Sequence, residues 1–173
     1  MSTSKEYIIQ FASLTIGEHR FELDINKRFF DNFDYSEIKE GDIRVNINLL
    51  KTSSMMVLDF EIGGTVKAIC DRCASEFDLP ITGHYKLTVK TGDADVDEQD
   101  DDIIAVSASE SRLDLSKHLY EYITLALPIK REHETIADCD KEVLTKLNNF
   151  LVDDDSAKSA DPRWNDLSKI KLN

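Results

Sequence analysis

Four stretches of apolar–polar alternation between residues 19 and 90 constrain this chain more than any other feature. His19-Arg-Phe-Glu-Leu-Asp-Ile25 puts Phe21, Leu23 and Ile25 on one face. Ile43, Val45, Ile47 and Leu49 alternate with Arg44, Asn46 and Asn48, and Met56, Leu58, Phe60 and Ile62 with Val57, Asp59 and Glu61. In the last, Gly83 to Lys90, Tyr85, Leu87 and Val89 lie opposite His84, Lys86, Thr88 and Lys90. A period of two sends successive side chains to opposite sides of a pleated strand, so each stretch predicts one dry and one wet face. Short connections predict an antiparallel meander.

The remaining elements follow from punctuation and period. Tyr7–Phe11 predicts an opening strand, with Gly17-Glu18 as a turn before the next. Gly63-Gly64 is followed at once by renewed alternation through Ile69, which predicts a bulge or bend in one long strand. Phe29, Phe30 and Phe33 predict a short helix or turn packed on the sheet, and Ile103–Val106 one more strand. From Asp114 the period becomes helical, through Leu115, Leu119, Ile123 and Leu127, with Asp114 as N-cap and Pro128 as stop. Val143, Leu144, Leu147, Phe150 and Leu151 mark a second helix. Asp161-Pro-Arg-Trp164 has the N-cap and N1 residues of a third, lined by Trp164, Leu167 and Ile170. The expected architecture is α+β: an antiparallel sheet or partial barrel with C-terminal helices. Residues 1–152 form a single domain in this reading, and 153–173 a linker and C-terminal docking segment.

Charge limits the partners. Thirty-four acids against 21 bases give a net charge of −13. Seven acids fall between Asp93 and Asp102, a run expected to be a solvated loop. A chain this anionic is repelled at long range by phosphate backbones and attracts basic proteins. No window has the roughly 20 apolar residues of a membrane span, and the N-terminus lacks a signal-peptide apolar region. The expectation is a cytoplasmic protein with no membrane partner.

Cys70, Cys73 and Cys139 cannot all pair within one chain, which points to reduced thiols or a metal site. Cys70-Asp-Arg-Cys73 can grip one side of a Zn²⁺ ion from a tight turn. Cys139 and His133, six residues apart, supply the other two ligands of a Cys₃His set. Reduced structural thiols are the default reading of these residues, and the zinc set is the alternative to it. Redox catalysis by the dithiol fits poorly, because strand pattern follows Cys73 where a helix N-terminus would be needed. Asp93, Asp95 and Asp97 have calcium-loop spacing, but Glu98 and Ile104 stand where Gly and Glu are required. No phosphate loop, nucleophile elbow or catalytic histidine set is present, so no enzymatic activity is expected. Lys130, Arg131 and His133 are a local concentration of positive charge and candidates for a partner contact, as are Arg163 and Trp164. A solvated loop beside a helix C-terminus is the plainer reading of Lys130 and Arg131.

In order, the motifs resemble the YceD family. The matching pieces are Cys70-Asp-Arg-Cys73 and its flanking strands, the acid-rich stretch, Leu113-Asp-Leu-Ser116, Leu125-Ala-Leu-Pro-Ile-Lys130 and Asp161-Pro-Arg-Trp164. The resemblance runs from about residue 40 onward, judged by motif order. It implies a small bacterial factor supporting accumulation of 23S rRNA and large-subunit assembly, without catalysis. Its implied partner is a basic ribosomal protein or large-subunit precursor, with a local rRNA contact left open. Many members carry a further cysteine knuckle before the Asp-Pro-Arg motif; here Glu132–Asp155 keeps only Cys139. A zinc-binding adaptor or metalloenzyme built on Cys70 and Cys73 is the alternative function.

Overall fold

The computed structural model describes residues 7–92, 102–107 and 109–150. The Asp161–Trp164 motif, including Arg163 and Trp164, and all of the acidic run except Asp102 lie outside these residues. Strands β1 (Ile8–Ile9), β2 (Gly17–Ile25), β3 (Gly41–Lys51), β4 (Met55–Ile69), β5 (Glu76–Thr91), β6 (Ile103–Val106) and β7 (Leu113–Asp114) are joined by three helices. These are α1 (Lys27–Phe30), α2 (Ser116–Leu125) and α3 (Lys141–Phe150). The α+β class holds, and the sheet is open rather than a barrel: β2-β3-β4-β5-β6, with β2 at one edge and β6 at the other.

Alternation sets the register. Ile43, Val45, Ile47 and Leu49 on β3 are each at most 1% exposed, and opposite the last three stand Ile62, Phe60 and Leu58 of β4. Leu87 and Val89 of β5 continue these rows, facing Leu58 and Met56. The dry face is covered by α1 and α2. Phe29 meets Tyr7 and Phe30 edge-on at 4.9 and 5.4 Å, and Phe33 stacks on Tyr120 of α2 at 4.4 Å. From α2, Leu119, Tyr122 and Ile123 are buried, with Tyr122 stacked on Tyr85 at 4.5 Å.

On the wet face, cross-strand rows interleave the two signs. Glu18, Glu22, Asp24, Asp42, Asp59, Glu61, Glu76 and Asp78 share it with Arg20, Arg44, Lys67, Lys86 and Lys90. Arg44 pairs with Asp24 at 3.4 Å and Lys67 with Asp78 at 2.9 Å. No continuous band of Lys and Arg crosses this face.

Several expectations are corrected. Gly17-Glu18 begins β2 instead of forming a turn, opposite Lys51 and Leu50. The opening strand shrinks to β1, which pairs with β7 and not with β2. Strand β4 is one long strand, as the renewed alternation predicts, but its register through Gly63 and Gly64 is unbroken, so there is no bulge. Gly64 has φ +156°, and a Cβ there would sit 2.2 Å from the Asp42 carbonyl oxygen. The sheet is not wholly antiparallel, because β6 pairs parallel to β5. Strand β5 starts at Glu76 rather than Gly83 and contains Pro80. Pro80 is tolerated because β6 faces only Thr88–Thr91, leaving that end of β5 without a second neighbour among the described residues. Asp114 lies in β7, with Leu115 at the N-cap; its carboxylate still accepts from the Ser116 N–H at 2.9 Å.

Candidate metal centre

The turn between β4 and β5 is built by its own backbone. The Ala74 N–H donates to the Cys70 carbonyl at 2.8 Å, and the Cys70 N–H to the Ser75 carbonyl at 2.9 Å. Ala74 takes φ +57°, the left-handed value that lets the chain reverse directly after the second cysteine. Two sulfurs three residues apart thereby face the same way.

A second segment is laced to this turn. The Asp71 N–H donates to the Arg131 carbonyl, and the Arg131 N–H to the Asp71 carboxylate, both at 2.8 Å. The Arg72 guanidinium donates to the His133 carbonyl and pairs with Glu132 at 3.2 Å. This lacing brings His133, 60 residues away in sequence, over the cysteines, with its ring 4.5 Å from that of Phe77. A short 3₁₀ turn, Ile136–Asp138, then delivers Cys139. The Asp140 carboxylate accepts from the N–H groups of Glu142 and Val143 at 2.8 and 3.2 Å, capping α3 just beyond the third thiol.

The structure therefore brings together the four residues named from the sequence. One ligand atom from each of Cys70, Cys73, His133 and Cys139 lies within 4.8 Å of all the others. His133 Nδ1 is 3.7 Å from Cys73 Sγ and 3.6 Å from Cys139 Sγ. Bond lengths of about 2.3 Å to sulfur and 2.0–2.1 Å to nitrogen give a tetrahedral S···N edge of roughly 3.6 Å. The donor set suits Zn²⁺, a borderline-soft ion bound by thiolates and imidazole. A two-iron cluster would hold its ligand pairs further apart, by the width of the cluster.

The three thiols are all buried but not equivalent. Burial opposes ionisation of Cys70, yet hydrogen bonds from the backbone of His133, Arg72 and Cys73 outweigh it and bring the thiol down to about 7. The Ser75 hydroxyl, 3.0 Å away, lowers Cys73 against burial, helped by backbone bonds from Ser75 and Asp140. Cys139 is pushed up to about 11, by burial first and then by its two sulfur neighbours. The fold thus eases ionisation of Cys70 and Cys73 and opposes it at Cys139.

The other named residues fall outside the cluster. Lys130 is exposed. Arg131 is engaged, through its backbone with Asp71 and through its side chain with Glu37 at 3.1 Å. Sequence reasoning missed Asp71, Arg72, Glu132 and Ser75, which position the ligands. Their signal was adjacency, two of them lying inside the Cys-x-x-Cys turn and one beside His133.

Residues 58–171 match a family model described as Large ribosomal RNA subunit accumulation protein YceD. No curated protein and no solved structure matches the chain.

Proposed function

The chain belongs to the YceD family, whose model matches well over half of it, and from this premise we propose that it is a non-enzymatic factor in large-subunit assembly. The family description ties it to accumulation of the large ribosomal RNA subunit. In our reading it supports 23S rRNA levels by holding a basic ribosomal protein, or an assembly intermediate, until RNA competes for it.

The observation that carries this mechanism is the net charge of −13. On the wet sheet face acids outnumber bases, and two of the bases, Arg44 and Lys67, are neutralised by Asp24 and Asp78. Such a surface steers cationic partners and has little general grip on phosphate backbones. Among the described residues no helix is long and apolar enough to cross a membrane.

Affinity purification of tagged protein at low and moderate salt, with and without RNase, tests the proposal. Large-subunit ribosomal proteins or precursor particles are expected to co-purify, to survive RNase and to fall away as salt rises. No enrichment at low salt would overturn it. Loss of every partner on RNase treatment would replace protein recognition by direct RNA contact.

A further inference from the structure

We infer that Cys70, Cys73, His133 and Cys139 bind one Zn²⁺ ion, and that this ion is what fastens α3 to the turn between β4 and β5. The inference stands on this chain's own geometry and does not depend on the ribosomal reading.

Geometry supplies the first reason. Four soft or borderline donors converge within 4.8 Å of one another, and two of the S···N separations, 3.7 and 3.6 Å, match a tetrahedral edge. Nothing within one element forces this convergence. It needs a tight turn, a laced loop and a 3₁₀ turn to end at the same point, and the lacing spends the Asp71 and Arg72 side chains on holding the loop that carries His133.

The second reason is how α3 is held. Its described part, Lys141–Phe150, has no buried residue. Most helical stability in proteins comes from packing of an apolar face, so this segment needs an anchor. Val143, Leu144 and Phe77 pack against the three cysteines, and together they make a satellite cluster beside the main core. Without an ion the centre of that cluster is three thiols and an imidazole, which offer little cohesion. With Zn²⁺ coordinated, Cys139 is bonded through the metal to Cys70 and Cys73, directly before the Asp140 cap.

The test uses the full chain, purified under reducing conditions without a metal-affinity tag. About one Zn²⁺ per chain is expected. Co²⁺ added to the chelated chain should give thiolate-to-cobalt charge transfer and tetrahedral ligand-field bands. Cys73→Ser and Cys139→Ser should abolish both, while His133→Cys, which restores a four-thiolate set, should retain them. Far-UV circular dichroism of each variant reports that the sheet is intact. Chelation should accelerate amide hydrogen exchange in residues 141–150 by about tenfold or more and leave β3 and β4 unchanged.

Zinc below about a tenth of an equivalent together with no cobalt charge transfer overturns the metal assignment. So does metal retained when Cys73 and Cys139 are both replaced. Exchange in α3 that is unaffected by chelation, or that rises equally in β3, overturns the fastening.

Discussion

His133 Nδ1 lies 3.7 Å from Cys73 Sγ across 60 residues of sequence, and the contact is held in place by the residues that precede each of them. Asp71 and Arg131 bond each other twice, and Arg72 spans Glu132 and the His133 carbonyl. The turn carrying Cys70 and Cys73 and the loop carrying His133 are therefore joined by hydrogen bonds that involve none of the four ligand atoms, and much of the ordering entropy is met by the fold itself.

Asp71→Ala removes the carboxylate that accepts from the Arg131 N–H. The position is exposed, so stability should fall by only about 1 kcal/mol in urea unfolding. Metal affinity should fall as well, because the loop carrying His133 loses a tether. Competition with a chromophoric chelator measures the second effect separately from the first.

Gly64→Ala should be severe, and Gly63→Ala mild. A Cβ on Gly64 meets the Asp42 carbonyl oxygen at 2.2 Å and the Ile43 Cα at 2.7 Å, whereas one on Gly63 meets nothing within 4 Å. The backbone of β3 must move aside in the first case, at a cost of about 3 kcal/mol or more. The neighbouring substitution should stay within about 1 kcal/mol. Denaturation midpoints of the two variants compare them directly.

His118 gives the fold an acid-sensitive point. The ring is partly buried, and its Nδ1 has no hydrogen-bond partner among the described residues. Burial lowers its pKa, with Glu121 and Asp114 opposing and Lys117 assisting. The unfolded chain then binds the proton more readily, so stability is full above the unfolded histidine value of about 6.5 and declines as pH falls below it. His118→Gln should flatten that decline. Running both proteins with chelator present removes the pH dependence of metal binding from the comparison.

Tyr122 should ionise well above the ordinary tyrosine range in the native protein. Burial, then the nearby Asp102 and Glu121 charges, push its phenol up to about 12. The raised value means the fold loses stability as pH climbs above about 10 and on through 12. Its hydroxyl has no partner among the described residues, so Tyr122→Phe should change stability at neutral pH by less than about 1 kcal/mol. Ultraviolet titration of the variant should lack the phenolate step near 12.

The central strands were legible because burial on one face leaves a period-two signature that few other folds produce. Strand β5 was read seven residues short, since Glu76, Asp78 and Pro80 look like loop until one sees that this end has a single neighbouring strand and a wet face. Parallel pairing of β6 was not legible. It depends on where the chain returns after residues 93–101, and the four residues Ile103–Val106 read the same in either direction. The ligand set was legible by scarcity, because three cysteines and one nearby histidine allow few combinations. How His133 reaches the turn was not, because the Asp71–Arg131 exchange joins two loops with no periodic pattern.

The free margin of β2 has a consequence for how copies of this molecule meet. Among the described residues no strand pairs with the outer side of Gly17–Ile25, and such a margin would ordinarily invite strand addition by a neighbour. Glu18, Arg20, Glu22 and Asp24 occupy every outward wet-face position there. An identical margin approaching in parallel register would set each of these charges against its own copy and strip its water, which discourages that mode of polymerisation.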